Sequence, residues 1–187
     1  MISLSDIPSY LGSARYKTTV SGSGLARFLE EYRNDGGIDL DPDFQRGHVW
    51  DEGNRIKFIE HLLRGGEFGR SIVWNTPTHD HQASTHPDRD LSDTMVLVDG
   101  KQRLTAILRF LDNDLAVFGG IKLSDFDEPS YREIMTVTGR LRLDMNIYAL
   151  QRRDDLIRLY LELNEGAVAH EPSEIARVRS LLNESAA

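Results

Sequence analysis

One junction constrains the fold of this chain more than any other feature. Residues 94–98, Thr-Met-Val-Leu-Val, form a short and almost wholly apolar run, which is typical of a buried strand. The run leads directly into Asp99-Gly100, and apolar residues then recur at helical spacing from Leu104 to Leu111. A strand that passes into a helix through one glycine predicts a sheet with helices packed on it.

Other apolar patterns extend this arrangement along the chain. Helices are predicted around residues 25–32, 56–63, 125–139, 156–163 and 175–182, and strands around 71–76 and 140–150, with a hairpin at Gly119-Gly120 and a long exposed loop at 77–93. Because these elements mix without regular alternation, the fold class is α+β. Residues 1–20 show no clear period and are interpreted as an N-terminal arm or an added strand, and 21–187 as a single domain.

Composition excludes several classes of protein. The chain has 22 basic and 30 acidic residues, and the net charge of −8 argues against a non-specific DNA coat but permits a local basic site. It has no cysteine, which excludes disulfides, a thiol nucleophile and a Cys-ligated zinc site. No apolar run reaches the roughly 20 residues of a membrane-spanning helix, and the N-terminus lacks the pattern of a signal peptide. We therefore expect a cytoplasmic protein with no membrane partner.

Residues 99–103 have the chemistry of a phosphate site. Backbone N–H groups at a helix start have no intrahelical partner, and the helix dipole adds partial positive charge. Gly100 permits close backbone approach, while Lys101 and Arg103 add two cations. Asp99 can hold magnesium on the phosphates or accept a proton from an attacking group. The alternative is an ordinary strand-to-helix turn with a solvated Lys and Arg. The P-loop pattern GxxxxGK[ST] is absent, which excludes a Walker-type site.

A second candidate segment is Phe44-Gln45-Arg46-Gly47-His48-Val49-Trp50. Gln45 and Arg46, beside two large aromatic residues, can grip a phosphate and a base, with stacking on Trp50. The alternative is that Phe44 and Trp50 belong to the core and that Arg46 pairs with a nearby carboxylate.

Histidines in the predicted loop are a third candidate. His79, Asp80, His81 and His86 lie within eight residues, a spacing that can bind zinc or another transition metal. The surrounding Pro, Ser, Thr and Asp residues favour a solvated loop instead.

Taken together, three ordered segments resemble a known family. Asp-Phe-Gln-Arg-Gly-His-Val-Trp (43–50), Val-Asp-Gly-Lys-Gln-Arg-Leu-Thr (98–105) and Leu-Tyr-Leu-Glu-Leu-Asn-Glu-Gly (159–166) are similar to segments of the GmrSD-type N-terminal domain family. That family belongs to the ParB/sulfiredoxin-like superfamily and is marked by FQR-x-x-x-W and DGQQR-L-T segments. The resemblance covers about residues 38–183. It implies a ParB/sulfiredoxin-like fold, a small mixed sheet flanked by helices with a helical C-terminal part.

The resemblance also implies a function and a set of site residues. It implies binding and hydrolysis of a nucleoside triphosphate (ATP, GTP or CTP) with magnesium, in a DNA restriction, modification or phage-defence system. Relatives in the superfamily place nucleotide phosphates on a Gly-x-x-Arg turn. Carried over by position, phosphate and metal handling falls to Asp99, Gly100, Gln102 and Arg103, faced by Gln45 and Arg46, with Asn164 from a later helix.

This chain departs from the family pattern in two ways. Lys101 stands where the family usually has Gln and where sulfiredoxins carry their catalytic Cys, so sulfinic-acid reduction is excluded and phosphate affinity is expected to change. Restriction members continue into a separate nuclease domain, whereas this sequence ends at Ala187. We therefore expect no DNA cleavage by this chain alone, with DNA or a DNA-processing protein as partner.

Two other functions remain open from the sequence. With a hydroxyl in place of water, the same phosphate site would make a kinase that phosphorylates a small molecule or a modified DNA base. Alternatively, the short acidic chain is a non-catalytic phage protein that binds a host defence component.

Overall fold

The computed structural model describes residues 12–45, 50–80, 86–126 and 131–165, together with 178, 180 and 181. Its centre is a five-stranded mixed sheet. The strands are β1 (Tyr16–Ser21), β2 (Ile38–Asp39), β3 (Ser71–Asn75), β4 (Met95–Asp99) and β5 (Arg142–Tyr148), in the order β1-β5-β3-β4-β2. β1 is antiparallel to β5, β5 parallel to β3, β3 antiparallel to β4, and β4 parallel to β2.

Five α-helices connect or flank these strands in the part of the chain that the structure describes. They are α1 (Gly22–Asn34), α2 (Glu52–Leu63), α3 (Lys101–Leu111), α4 (Tyr131–Arg140) and α5 (Arg153–Glu165). Asp51 caps α2 as its position predicts, because its carboxylate accepts a hydrogen bond from the backbone N–H of Asn54 at 2.7 Å. None of the described helices is both long and apolar enough to cross a membrane.

The two faces of the sheet support two separate apolar cores. Alternate strand residues such as Trp74 and Leu97 face a core that includes residues of α1, α2 and α3. Val73 and Val98 point to the other face, where Phe44 and the apolar side of α5 cover them. This alternation of side chains is the direct result of the two-residue period of a strand.

The α+β class predicted from the sequence is confirmed. Residues 16–20 of the segment assigned to an arm form most of β1, and the predicted hairpin at Gly119-Gly120 contains one bridged pair, Val117 with Ile121. The short helix predicted within 125–139 is α4. The helix predicted at 175–182 lies mostly outside the described residues.

The topology brings several element ends to one end of the sheet. β4 finishes there at Asp99, and β3 and β5, which run opposite to β4, begin there. Gly100 and the start of α3 follow β4 at once, and the last residue before β3, Arg70, accepts a backbone hydrogen bond from Asp144 of β5 at 3.0 Å. The phosphate turn predicted from the sequence therefore lies beside the first residues of two neighbouring strands.

Candidate functional site

The turn between β4 and α3 is built around Gly100. Its φ of 103° lies in the left-handed region, and a Cβ atom there would approach Cγ1 of Ile72 to 2.7 Å. Gly100 accepts the first helical hydrogen bond, from Leu104 at 3.0 Å, and it has no side chain with which to cap α3. The helix therefore starts directly at the strand end, with its first backbone N–H groups beside Asp99.

Arg103 lies on the first turn of α3 and is held by two partners. Nη2 donates to Oδ2 of Asp99 at 2.8 Å, and Nη1 donates to the backbone oxygen of Ser71. Its side chain is 22 % exposed, so the guanidinium lies at the surface with its orientation fixed. Arg103 thus ties the first turn of α3 to the end of β4 and to the start of β3.

Lys101 also has a carboxylate partner. Its ammonium group pairs with Asp41, in the segment that follows β2, and the Lys101 side chain is only 11 % exposed whereas that of Asp41 is 72 % exposed. Two residues further on, Asp43 pairs with Arg153 of α5 at 2.7 Å. Residues 41–43, which we call the acidic strap, are therefore fastened at one end to the β4–α3 turn and at the other to α5.

The segment around Phe44 converges on the same turn. Beyond the end of β2, the amide nitrogen of Gln45 donates to the backbone oxygens of Leu97 and Val98 at 2.6 and 2.8 Å. The backbone N–H of Trp50 donates to Oε1 of Gln102 at 3.4 Å. Residues 46–49, with Arg46, lie outside the described residues, but both residues that flank them contact β4 or α3.

The aromatic residues of this segment pack in two different ways. Phe44 is buried and its ring lies 5.4 Å from that of Tyr160 on α5. Trp50 is half-buried, and its ring lies edge-on to that of Phe58 of α2 at 5.5 Å. Val96, in the apolar run predicted as a buried strand, is half-buried and packs against the core that Phe44 joins. Leu108, in the apolar stripe of the helix that follows, is half-buried and packs against the other core.

Asn164 lies on α5, on the face of the sheet that Phe44 covers. Its side-chain nitrogen donates to the backbone oxygen of Tyr160, one turn earlier, at 2.6 Å, and the residue is buried. Among the described contacts of this amide, none reaches the turn at Gly100. The position of Tyr160 against Phe44 nevertheless places α5 directly behind the Gln45 segment.

The profile of the GmrSD restriction endonuclease N-terminal domain matches residues 25–155. The matched region contains both the Gln45–Trp50 segment and the β4–α3 turn, and it covers well over half of the chain. This chain belongs to that family. Comparisons with curated proteins and with solved structures gave no match. Asn164 lies beyond the matched residues of the GmrSD N-terminal domain.

The described side chains of this GmrSD domain do not form a metal site by themselves. No group of three His, Asp or Glu side chains there is arranged to hold an ion. His79 donates to or accepts from the hydroxyl of Tyr32 at 3.0 Å, His86 is exposed, and His81 lies outside the described residues. Magnesium commonly binds through one or two carboxylates together with substrate phosphates, and the surface carboxylate of Asp99 fits that arrangement.

Sequence reasoning missed three residues that shape the site of this GmrSD domain. They are Asp41, the partner of Lys101; Ser71, the acceptor for Arg103; and Arg153, which anchors the acidic strap. The alternation Asp39-Leu40-Asp41-Pro42-Asp43 just before Phe44 was a usable signal, because a run of carboxylates next to a cationic turn predicts pairing. Nothing local marked Ser71, since it contributes only a backbone oxygen.

Proposed function

We propose that this GmrSD N-terminal domain binds the phosphates of a nucleoside triphosphate at the β4–α3 turn and hydrolyses the terminal phosphate. The observation that carries the proposal is the geometry of Gly100. Its left-handed φ and its contact with Ile72 require glycine where the strand passes into the helix, and no side chain caps the first backbone N–H groups of α3. N–H groups of that kind favour an anion. Membership of the GmrSD restriction endonuclease family supports a restriction or phage-defence context for the domain.

The charges of the turn support phosphate binding by exchange of partners. Lys101 and Arg103 pair with Asp41 and Asp99. A triphosphate carries more charge than either carboxylate and offers several acceptor oxygens to the same donors. Because the Lys101–Asp41 pair is exposed on its Asp41 side, the carboxylate can turn to solvent when phosphate arrives. The acidic strap would then move away from the turn.

In the proposed reaction, water attacks the terminal phosphorus and the bond to the bridging oxygen of the β-phosphate breaks. Arg103 and Arg46 would stabilise the negative charge that develops on the phosphoryl oxygens. Asp99 would orient the attacking water, whose proton leaves with the phosphate product. Gln45 and Trp50 would line the nucleotide, and Gln102 would hold Trp50 in place through its present hydrogen bond. Magnesium held by Asp99 and the phosphates would neutralise phosphate charge.

A thermal-shift panel tests nucleotide binding. The purified chain is heated with ATP, GTP, CTP or UTP, each with and without magnesium. A ligand present at 100 times its Kd adds about 2.7 kcal/mol of stability, which corresponds to roughly 5–10 °C in a chain of this size. No shift with any of the four nucleotides would contradict the proposal and would favour a domain that only binds a protein partner.

Two variants assign the roles of the turn residues. Arg103→Ala should weaken nucleotide binding about ten- to a hundredfold, because one charge-assisted contact is worth about 1.5–3 kcal/mol. Asp99→Asn should keep much of the binding but lose most of the magnesium dependence and turnover. Arg109→Ala is the matched control, since this arginine lies at the other end of α3 with a comparable exposure of 27 %.

Phosphate release distinguishes hydrolysis from phosphotransfer. Free phosphate formed from the nucleotide in water alone supports hydrolysis. Nucleotide consumption that requires an added hydroxyl compound, with the label of the terminal phosphate recovered on that compound, would instead assign a kinase to the same site. In that case the same bond breaks, between the terminal phosphorus and the bridging oxygen, and the hydroxyl oxygen of the added compound attacks in place of water.

A further inference from the structure

The sheet end beside the phosphate turn carries three arginines that the proposed nucleotide site does not use. Arg70 immediately precedes β3, Arg140 is the last residue of α4, and Arg142 is the first residue of β5. Since β3 and β5 are neighbouring parallel strands, their first residues lie side by side, and the backbone oxygen of Arg70 accepts from Asp144 at 3.0 Å. We call Arg70, Arg140 and Arg142 the arginine surface.

All three guanidinium groups are positioned by backbone oxygens rather than by carboxylates. Arg70 donates to Gly66 at 2.5 Å, Arg140 to Leu63 at 2.7 Å and Arg142 to Gly139 at 2.6 Å. Within the described parts of the chain, none of the three has a carboxylate within 4 Å, whereas Lys101, Arg103 and Arg153 do. Their orientation is therefore fixed while their positive charge remains available.

The loop that these arginines hold presents an exposed aromatic ring. Phe68, in the connection between α2 and β3, is 87 % exposed, which is exceptional for a phenylalanine. Arg140 bonds to Leu63, the last residue of α2, and Arg70 bonds to Gly66, two residues before Phe68. The exposed ring therefore lies in the same short connection as the carbonyl that Arg70 holds, and it is available for stacking on a planar group.

The neighbouring surface extends the positive charge. An open depression of about 390 Å³ lies at the end of α2, lined by Lys57, Glu60, His61, Arg64 and the backbone of Gly65-Gly66. Arg64 covers the ring of Phe118, and Glu60 accepts a hydrogen bond from the backbone N–H of Phe118. Residues 55–70 hold four basic and two acidic residues in a chain that is acidic overall.

We infer that the arginine surface and Phe68 bind a nucleic acid strand, with the arginines on successive phosphates and Phe68 stacked on an unpaired base. Arginine suits phosphate because its planar fork donates two parallel hydrogen bonds. A groove of cations with an interleaved aromatic ring is the usual construction of a single-strand binding surface. This inference does not depend on nucleotide hydrolysis at the neighbouring turn.

An acidic protein partner fits the same surface less well. Carboxylate side chains would satisfy the arginines, but they leave Phe68 without a planar group to contact. The acidic residues Glu67 and Asp144 also lie at this end of the sheet, and Asp144 is occupied by the hydroxyl of Thr19 at 2.8 Å. Phosphates spaced along a strand can contact the separate arginines while avoiding these two carboxylates.

Fluorescence anisotropy tests the inference. It measures the affinity for a labelled 20-nucleotide oligothymidine and for a duplex of the same length over a range of salt concentrations. The double variant Arg140→Gln/Arg142→Gln should lower the slope of log affinity against log salt by about 1.4 for the single strand, two contacts at about 0.7 each. Phe68→Ala should weaken single-strand binding about five- to a hundredfold and leave duplex binding unchanged. Because Phe68 is exposed, this variant tests the surface even if the double variant does not fold.

The matched control is Arg158→Gln, an exposed arginine on α5 that pairs with Asp155. It should keep wild-type binding. The inference is overturned if the wild type binds neither oligonucleotide at 50 mM salt, or if Arg158→Gln weakens binding as much as the double variant. It is also overturned if polyglutamate competes as well as DNA while Phe68→Ala has no effect. Thermal shifts with nucleotide, measured on the same variants, show separately whether the proposed function holds.

Discussion

Gly100 combines two constraints at a single residue. Its φ is 103° and its missing side chain makes room for Ile72, whereas Gly119 has a φ of 83° with no atom within 4 Å of a built Cβ. The left-handed conformation alone costs a non-glycine residue about 1–2 kcal/mol. We expect Gly119→Ala to lose about that much stability, and Gly100→Ala to lose a further 1–3 kcal/mol from overpacking against Ile72.

Urea denaturation of the two glycine variants measures this difference. Gly100→Ala should also lose the nucleotide-induced thermal shift, because Ile72 and the start of α3 must move apart. Gly119→Ala should keep the shift in full. Equal losses of stability in both variants would mean that the contact with Ile72 relaxes without cost.

We expect His79 to make the stability of the fold depend on pH. Burial lowers the pKa of His79 below its usual 6.5, an effect that the nearby Asp35 partly opposes, and the ring bonds to the hydroxyl of Tyr32. A depressed pKa means that the unfolded chain binds a proton first as the pH falls below 6.5. Stability should therefore be constant from pH 8 to 7 and decrease from 6.5 toward the folded pKa. Urea midpoints measured as a function of pH check this. The loss of stability that begins below pH 6.5 should be absent from His79→Phe, whereas the loss caused by protonation of carboxylates at lower pH should be the same in wild type and variant.

At the scale of elements, the acidic strap and α3 act on each other through one ion pair. Asp41 pairs with Lys101 at the β4–α3 turn, whereas Asp43 pairs with Arg153 on α5. Both carboxylates are exposed, by 72 % and 61 %, and both substitutions to Asn remove one negative charge. Asp41→Asn should tighten triphosphate binding about two- to fivefold, because it frees Lys101 from a surface pair worth up to about 1 kcal/mol.

Asp43→Asn is the control for that effect, since it changes the net charge equally but leaves Lys101 paired. Isothermal titration with the nucleotide selected by the thermal-shift panel compares the two. If both variants tighten binding to the same extent, the cause is the general negative field of the domain and not competition at the turn.

Element positions were predictable wherever the signal is local. The apolar run of β4, the glycine after it and the stripe of α3 lie within 18 consecutive residues, 94–111, and each follows from side-chain periodicity. Contacts between distant segments carry no such signal. The Lys101–Asp41 pair joins residues that are 60 apart in the chain. It depends on the pairing of β4 with β2, and β2 has only two residues. The convergence of the Gln45 segment on β4 was predicted only through the family resemblance.

For the whole molecule, the sheet order could not be read from the sequence. β1 joins the sheet beside β5, which lies more than 120 residues later in the chain, and periodicity gives no information about such a pairing. The sequence also did not show that the two faces of the sheet carry separate cores. The apolar stripe of α5 has the same spacing as the stripes of the helices on the other face, and a single residue such as Phe44 has no pattern at all. Sequence patterns therefore predicted β3, β4, β5 and the five described helices, but not β2, and the tertiary contacts determined which elements meet.

One sheet that separates two cores should unfold as one unit. Ile59 belongs to the core under α2 and Ile157 to the core under α5, and both are fully buried. Each of Ile59→Val and Ile157→Val removes one methylene and should cost about 0.5–1.5 kcal/mol, which lowers Tm by about 2–4 °C per kcal/mol. Because the strands between the cores are shared, each variant should shift the same single calorimetric transition and keep the calorimetric and van't Hoff enthalpies equal. If Ile157→Val instead splits the transition in two, α5 and Phe44 form a separate cooperative unit, and the acidic strap is coupled to the phosphate turn only through its ion pairs.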